Sequence, residues 1–421
     1  MIETISLLPG ITLRCFRDTR FKQGCLSLQL VRPMKKEEAA VNALLPSVLL
    51  RGTNRCPDLR SITEHLDELY GASVSPLVRR VGDYQTTGLY CGFMDDRFAL
   101  PGDRVLAPMI DFLGEVLLDS PLEKGAFLPS FVESEKKNLI ATIESELNDK
   151  RAYAMGKLLR TMCRADSFGV PRLGDKEAVA AIDANALYAH YQNILRTSPM
   201  ELFYVGSAPA ETVALLLRKV LAPIERSYIP VPAQTPFQDA GSSHAAEDAD
   251  AAQSVLCMGF VTPITGASPD FAAMQVLNTI FGAGMTSKLF TQIREKMSLC
   301  YAIGSGYYAS KGILTVSAGI DREQEQAVRT EVLAQLDACR RGEITPDELN
   351  AAKEALLSSL RGIHDSPASI ESYYSTHTLS GTFRSPQQYM DEIRAVTLDS
   401  VIAAAGTVAL HTTYFLRGAE K

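Results

Sequence analysis

The chain has 421 residues, 46% of them hydrophobic, with 42 basic against 49 acidic side chains and a formal net charge of −7. That length suffices for two ordinary domains, each with its own core. The acidic balance and the lack of any long basic run exclude an extended phosphate-binding surface, so nucleic acid is not an expected partner.

Eight cysteines are scattered without a C-x-x-C pair, and none of the six histidines sits beside one. This reads as reduced, buried thiols of a cytoplasmic protein, not as a disulfide framework or a structural zinc site. The opening MIETISLLPGITL lacks the cationic flank and apolar stretch of a signal peptide, and no segment approaches the ~20 apolar residues of a membrane span. The expected location is cytoplasmic, with no membrane partner.

In chain order, extended runs come first, at about 11–17, 24–32, 74–80 and 86–94. Helical patterns follow over Val105–Leu118 and Pro129–Leu159, the second opening on a proline, which the first turn tolerates. Ile182-Asp183 places an N-cap residue before an alanine-rich helix, and Glu201–Ser207 is a β-rich run reaching glycine. The stretch Ser227–Ser254 is rich in Pro, Ala, Ser and Asp and reads as a linker.

Beyond the linker the same order returns. Leu69–Ser75 is echoed by Leu299–Ser305, and Thr87–Arg97 by Gly312–Arg322, each an extended run closed by Asp-Arg. Ile182-Asp183 is echoed by Leu398-Asp399, and Glu201–Ser207 by Thr413–Gly418. Four matches in one order, with spacing that drifts slowly, indicate one domain written twice. Strands followed by grouped helices favour an α+β arrangement, an antiparallel sheet with helices on one face. The expected division is 1–226, a linker over 227–251, and 252–421.

Two stretches resemble the insulinase-type, or pitrilysin-like, zinc peptidases. Asn42–Thr53 is similar to that family's zinc helix running into Gly-Thr, and Leu66–Ala72 to its next helix and turn. In the second copy, Gly282-Ala283-Gly284-Met285-Thr286-Ser287-Lys288-Leu289-Phe290, then Arg294-Glu295-Lys296 and Leu299-Cys300-Tyr301, resemble its glycine-rich turn and Arg-Glu-Lys signature. The resemblance spans essentially the whole chain. It implies two pseudo-symmetric α+β domains forming a clamshell around a peptide, similar to the inactive subunit of mitochondrial-processing-peptidase-like heterodimers.

The zinc motif of that family is His-x-x-Glu-His, which sets two imidazoles on one helical face beside a proton-accepting carboxylate. Counted back from Gly52-Thr53, its positions fall on Ala43, Pro46 and Ser47, a methyl, a ring without a donor and a hydroxyl. Neither a catalytic residue nor a metal ligand is therefore expected here, and no water would be activated on this chain. If Glu135 matches the family's earlier glutamate, the third-ligand position falls on Thr142, with Glu144 as the alternative. Pro46 removes a helical hydrogen bond at a cost of ~3 kcal/mol or more, so the helix is expected to kink there or to start later. Glu64-His65 lacks the first histidine of the motif, since Ser61 stands in its place, and His190 and His244 have no ligand-spaced partner.

The resemblance also assigns substrate contacts. Arg294 and Tyr301 match positions that grip peptide near the scissile carbonyl, where a guanidinium and a phenol can donate hydrogen bonds. Gly282 and Gly284 form a turn allowing close backbone approach, and no Gly-Lys-Ser/Thr follows to make a phosphate loop. Three functions remain open. The chain is a non-catalytic subunit that contributes to the peptide chamber of an active insulinase-type partner carrying the zinc; or a peptide-binding or scaffold protein, monomeric or homodimeric; or a peptidase with unconventional zinc ligands.

Overall fold

The computed structural model describes residues 2–146 and 148–419. The chain forms two compact units, and neither is continuous in sequence. The first comprises Met1–Glu144, Val170–Ala233 and His364–Thr376; the second comprises Ser145–Gly169, Gln234–Ile363 and His377–Lys421.

The first unit is built on a six-stranded sheet of β1 (Ile2–Leu8), β2 (Ile11–Arg17), β3 (Gln23–Pro33), β4 (Ser73–Val81), β5 (Tyr84–Met94) and β8 (Met200–Gly206), in the order β1-β2-β8-β3-β5-β4. A short separate hairpin pairs β6 (Leu122–Glu123) with β7 (Ala126–Phe127). Every neighbouring pair in the large sheet is antiparallel except β2 and β8, which run parallel. Its helices are α1 (Lys36–Leu49), α2 (Leu59–Glu68), α3 (Leu106–Leu118), α4 (Pro129–Glu146), α6 (Lys176–Ala180), α7 (Ala184–Thr197) and α8 (Ala210–Leu221).

Central strand β3 is buried almost throughout. Its alternation sends Leu26, Leu28 and Leu30 into the main core with Leu44, Val48, Phe112 and Leu113 of α1 and α3. Cys25, Ser27 and Gln29 face the other way and are also buried. There they meet a helix from the far end of the chain, α12 (Pro367–Leu379), whose Ile370 and Tyr374 pack with Cys25. Glu371 of α12 is fully buried and accepts hydrogen bonds from Ser27 Oγ at 2.6 Å, Gln29 Nε2 at 3.2 Å, and Arg79 Nη1 and Nη2 at 2.9 and 2.8 Å.

The second unit repeats this plan. Its five strands, β9 (Ser243–Asp248), β10 (Ser254–Val261), β11 (Ala302–Tyr308), β12 (Ile313–Ile320) and β13 (Ala409–Arg417), lie in the order β11-β12-β10-β13-β9. Read from the other edge, this is the order β2-β8-β3-β5-β4, and β9 and β13 form the one parallel pair, as β2 and β8 do. The duplication inferred from sequence echoes is thus present in topology and strand direction. The helices are α5 (Lys150–Met162), α9 (Phe271–Phe281), α10 (Glu325–Arg340), α11 (Pro346–Arg361), α13 (Pro386–Ala395) and α14 (Leu398–Thr407), with a π-helix over Leu289–Lys296. Ala154 and Leu158 of α5 pack on Val255 and Cys257 of β10 and on Tyr414 and Leu416 of β13. A buried ion pair, Lys311 to Asp166 at 3.1 Å, fixes the chain just after α5.

Three sequence expectations change. The stretch 227–251 holds β9, the counterpart of β2, and neither compact unit coincides with 1–226 or 252–421 because α5 and α12 are exchanged between the halves. The helix expected over Pro129–Leu159 is two helices, with Asp149 capping the second by accepting from the Arg151 and Ala152 N–H groups. Before α14 the cap is Thr397, and Asp399 lies inside the first turn. Among the described residues no helix is long and apolar enough to cross a membrane.

A buried carboxylate that loses its cation costs far more than one replaced together with its partner. Arg79→Ala is therefore expected to lower stability by ~3 kcal/mol, and the pair Arg79→Met with Glu371→Leu by clearly less. Chemical denaturation followed by circular dichroism tests this; equal losses would show that the pair does not hold α12.

Candidate functional site

Helix α1 carries the positions of the missing zinc motif. It runs from Lys36 to Leu49 with Pro46 inside it. Pro46 cannot donate to the carbonyl of Asn42, its helical partner one turn back. That oxygen instead accepts the Thr87 hydroxyl of β5 at 2.6 Å, in a fully buried position. The lost bond is thus replaced from the sheet.

The side chain of Asn42 extends the same network. Its Nδ2 donates to Gln85 Oε1 at 2.9 Å, and Gln85 Nε2 donates to the carbonyls of Ala39 and Arg172 at 2.9 and 2.8 Å. His190 Nε2 lies 2.7 Å from Asn42 Oδ1, which only accepts, so the imidazole donates. Burial lowers the His190 pKa, favouring the neutral ring, whose Nε2–H tautomer makes this bond. His190 is therefore a packed histidine that props α1.

The three motif positions present no nitrogen, thiolate or carboxylate. Ala43 is 4% exposed and packed, Pro46 is buried, and Ser47 is half-buried. Glu135 pairs with Arg51 at 3.3 Å, Thr142 Oγ1 donates to the carbonyl of Asn138 at 2.9 Å, and Glu144 pairs with Lys176 at 3.3 Å. His65 packs against the ring of Phe112 and contacts Arg55. His244 lies on β9, its Nδ1 against Thr413 Oγ1. Among the described residues no three His, Cys, Asp or Glu side chains gather as a metal site would require.

The second unit holds the other predicted residues. Gly282 ends α9, and its carbonyl accepts the Ser305 N–H of β11 at 3.0 Å. A Cβ on Gly282 would stand 2.6 Å from Ser305 Oγ and 2.8 Å from Leu289 Cδ1, so close approach does require glycine there. Gly284 has open space where a Cβ would go and a negative φ, so neither requirement holds for it. After this turn comes the π-helix, a rare form that recurs at functional sites. It presents Arg294 outward, stacked over Phe290 with 4.6 Å to the ring centroid.

Tyr301 is 48% exposed and donates to Asp321 Oδ2 at 3.1 Å. It lines a cavity of about 610 Å³ together with Arg151, Lys150 and Gln253. Burial pushes the neighbouring Cys300 thiol up to about 11, and the charges of Arg294 and Arg151 oppose that rise. The sequence reading missed Arg151: it sits on a stretch that reads as one continuous helix far upstream of Tyr301. Only the Asp149 cap hinted at a new element starting there.

Residues 181–356 match the family model described as the peptidase M16 inactive domain. That span takes in the whole of Gly282–Tyr301 but not α1. The chain is 28% identical over 412 residues to the probable inactive metalloprotease YmfF of Bacillus subtilis, covering 98% of this chain and 96% of that protein. This chain is similar to M16 peptidases and to their inactive relatives. The crystal structure of a conserved protein from Enterococcus faecalis V583 superposes on this chain with a TM-score of 0.92 at 26% identity, covering 100% of this chain and 99% of that one. A peptidase M16 inactive domain from Pseudomonas fluorescens shares the fold, with a TM-score of 0.81 at 16% identity over 100% and 98% of the two chains.

Two substitution sets probe this geometry. Thr87→Val strands a buried carbonyl and is expected to cost ~1–3 kcal/mol. Pro46→Ala restores an N–H to the same oxygen, so in that background Thr87→Val should cost much less; strict additivity in a double-mutant cycle would refute the substitution of one bond for the other. Gly282→Ala should destabilise by ~1–3 kcal/mol and Gly284→Ala by under ~0.5 kcal/mol, read as thermal midpoints. Equal shifts would contradict the packing difference.

Proposed function

We propose that this chain is a non-catalytic subunit that holds peptide and completes the chamber of an active partner. The observation that carries this is helix α1. Its fold is kept at the expense of a replacement hydrogen bond from Thr87, while the three motif positions offer only a methyl, a pyrrolidine and a hydroxyl. That donor set does not fit Zn²⁺, which takes thiolate, imidazole or carboxylate ligands. The name of the Bacillus subtilis relative, a probable inactive metalloprotease, supports the same reading.

The second unit keeps what a peptide-holding subunit needs. Arg294 is outward-facing and Tyr301 half-exposed, and either can donate to a peptide carbonyl oxygen. On a partner that carries the metal, such donors would stabilise the negative charge that grows on that oxygen during attack. The partner is an active insulinase-type subunit, with a second copy of this chain as the alternative.

A second reading, a peptide-binding or scaffold protein outside proteolysis, draws on a specific observation: the Tyr301 hydroxyl is already bonded to Asp321, and Arg294 already stacks on Phe290. One experiment separates the two. The purified chain is analysed for metal by mass spectrometry, then mixed with an insulinase-type subunit bearing His-x-x-Glu-His and a quenched fluorescent peptide. The expected result is no stoichiometric zinc, no cleavage alone, cleavage in the mixture, and a loss of about tenfold or more with Arg294→Ala. About one zinc per chain with cleavage by the chain alone would overturn the proposal, and a mixture no more active than the partner by itself would favour the scaffold.

A further inference from the structure

We infer that the cavity beside Tyr301 is a receptor for a peptide carboxylate, with Arg151 as its anchoring cation. This rests on the peptide-holding role above and narrows the class of peptide. The cavity, of about 610 Å³, lies within the usual range of ligand sites, roughly 300–1,000 Å³. A second hollow of about 390 Å³ shares Arg151 and runs along Ala302, Ile303 and Gly304 of β11. Arg151 thus lines both spaces.

The cavity is lined by two cations, Lys150 and Arg151, against one carboxylate, Asp149. Among the described residues the Arg151 guanidinium makes no hydrogen bond or ion pair; only its backbone N–H is bonded, to Asp149 Oδ1 at 3.0 Å. The two nearby carboxylates are committed elsewhere. Asp149 caps α5 through the Arg151 and Ala152 N–H groups, and Asp321 accepts the Tyr301 hydroxyl. The guanidinium is also held in position. It lies against Gly319 of β12, where a Cβ would stand 3.1 Å from Arg151 Nη2 and 3.2 Å from Gln253 Oε1. A side chain at 319 would shift both groups slightly from these positions. A planar fork fixed in this way can bind a carboxylate through two parallel hydrogen bonds, which a lysine cannot reproduce. The Gln253 and Asn148 amides at the same cavity supply further donors.

The carboxylate could be a peptide's C-terminus or an acidic side chain, and the test distinguishes them. Three fluorescein-labelled random nonapeptide libraries are titrated into the full chain by anisotropy. The first lacks Asp and Glu and ends in a free carboxylate, the second is the same library ending in carboxamide, and the third ends in carboxamide and carries one internal Glu. The expected result is binding of the first at least about tenfold tighter than the second, a preference that Arg151→Met abolishes and Arg151→Lys only weakens. Circular dichroism and thermal midpoints establish that both variants are folded. The third library binding as the first does would place the recognised group on a side chain. Equal affinity for all three in the native chain, or a preference that survives Arg151→Met, would overturn the assignment while leaving peptide holding intact. No binding of any library would overturn peptide holding itself, and this inference with it.

Discussion

The first unit turns on how one carbonyl oxygen is satisfied. Pro46 leaves the Asn42 carbonyl without its helical donor, in a place where water does not reach. A buried, unbonded carbonyl costs on the order of 1–3 kcal/mol, a sizeable share of a domain's net stability. The Thr87 hydroxyl removes that cost, and it can do so because α1 packs against β5 and its neighbour β4. The side chains of Asn42, Gln85 and His190 extend that network by further hydrogen bonds. Helix α1 is thereby a fixed part of the core.

The exchange of α5 and α12 has a different physical basis in each unit. The second unit holds α5 mainly by apolar packing, with the Lys311–Asp166 pair anchoring the chain behind it. The first unit holds α12 through Glu371, whose charge is compensated by Arg79, Ser27 and Gln29 at once. Apolar burial is tolerant of small shifts, whereas a buried ion pair demands one geometry. The exchange also explains how the wall of the cavity next to Tyr301 comes from residues 148–151, which precede that tyrosine by a long stretch of chain.

Strands β2 to β5, β8 and β13 were legible because a half-buried strand writes its alternation into local composition, and their lengths follow the extended runs closely. Strand β9 was not. Its residues, Ser243-His244-Ala245-Ala246-Glu247-Asp248, are small or charged and would suit a linker. They become a strand by pairing in parallel with β13, whose partner atoms lie at the other end of the unit's sequence. The two glycines of the Gly-x-Gly turn look equivalent in sequence, yet only Gly282 has neighbours that forbid a side chain. Arg294 and Tyr301 were legible through motif resemblance, while Arg151 belongs to no motif and gains meaning only from what surrounds it.

The sequence by itself determined which atoms α1 can offer: alanine, proline and serine carry no metal-binding donor set in any conformation, because side-chain identity is covalent and local. It also determined that one domain plan is written twice. The tertiary structure decided that the helix persists through Pro46, that each sheet is covered by a helix from the other half's stretch of chain, and that Arg151 stands beside Tyr301. Those outcomes depend on hydrogen-bond satisfaction and charge compensation between residues far apart in the chain, and such relations have no periodicity for a sequence to display.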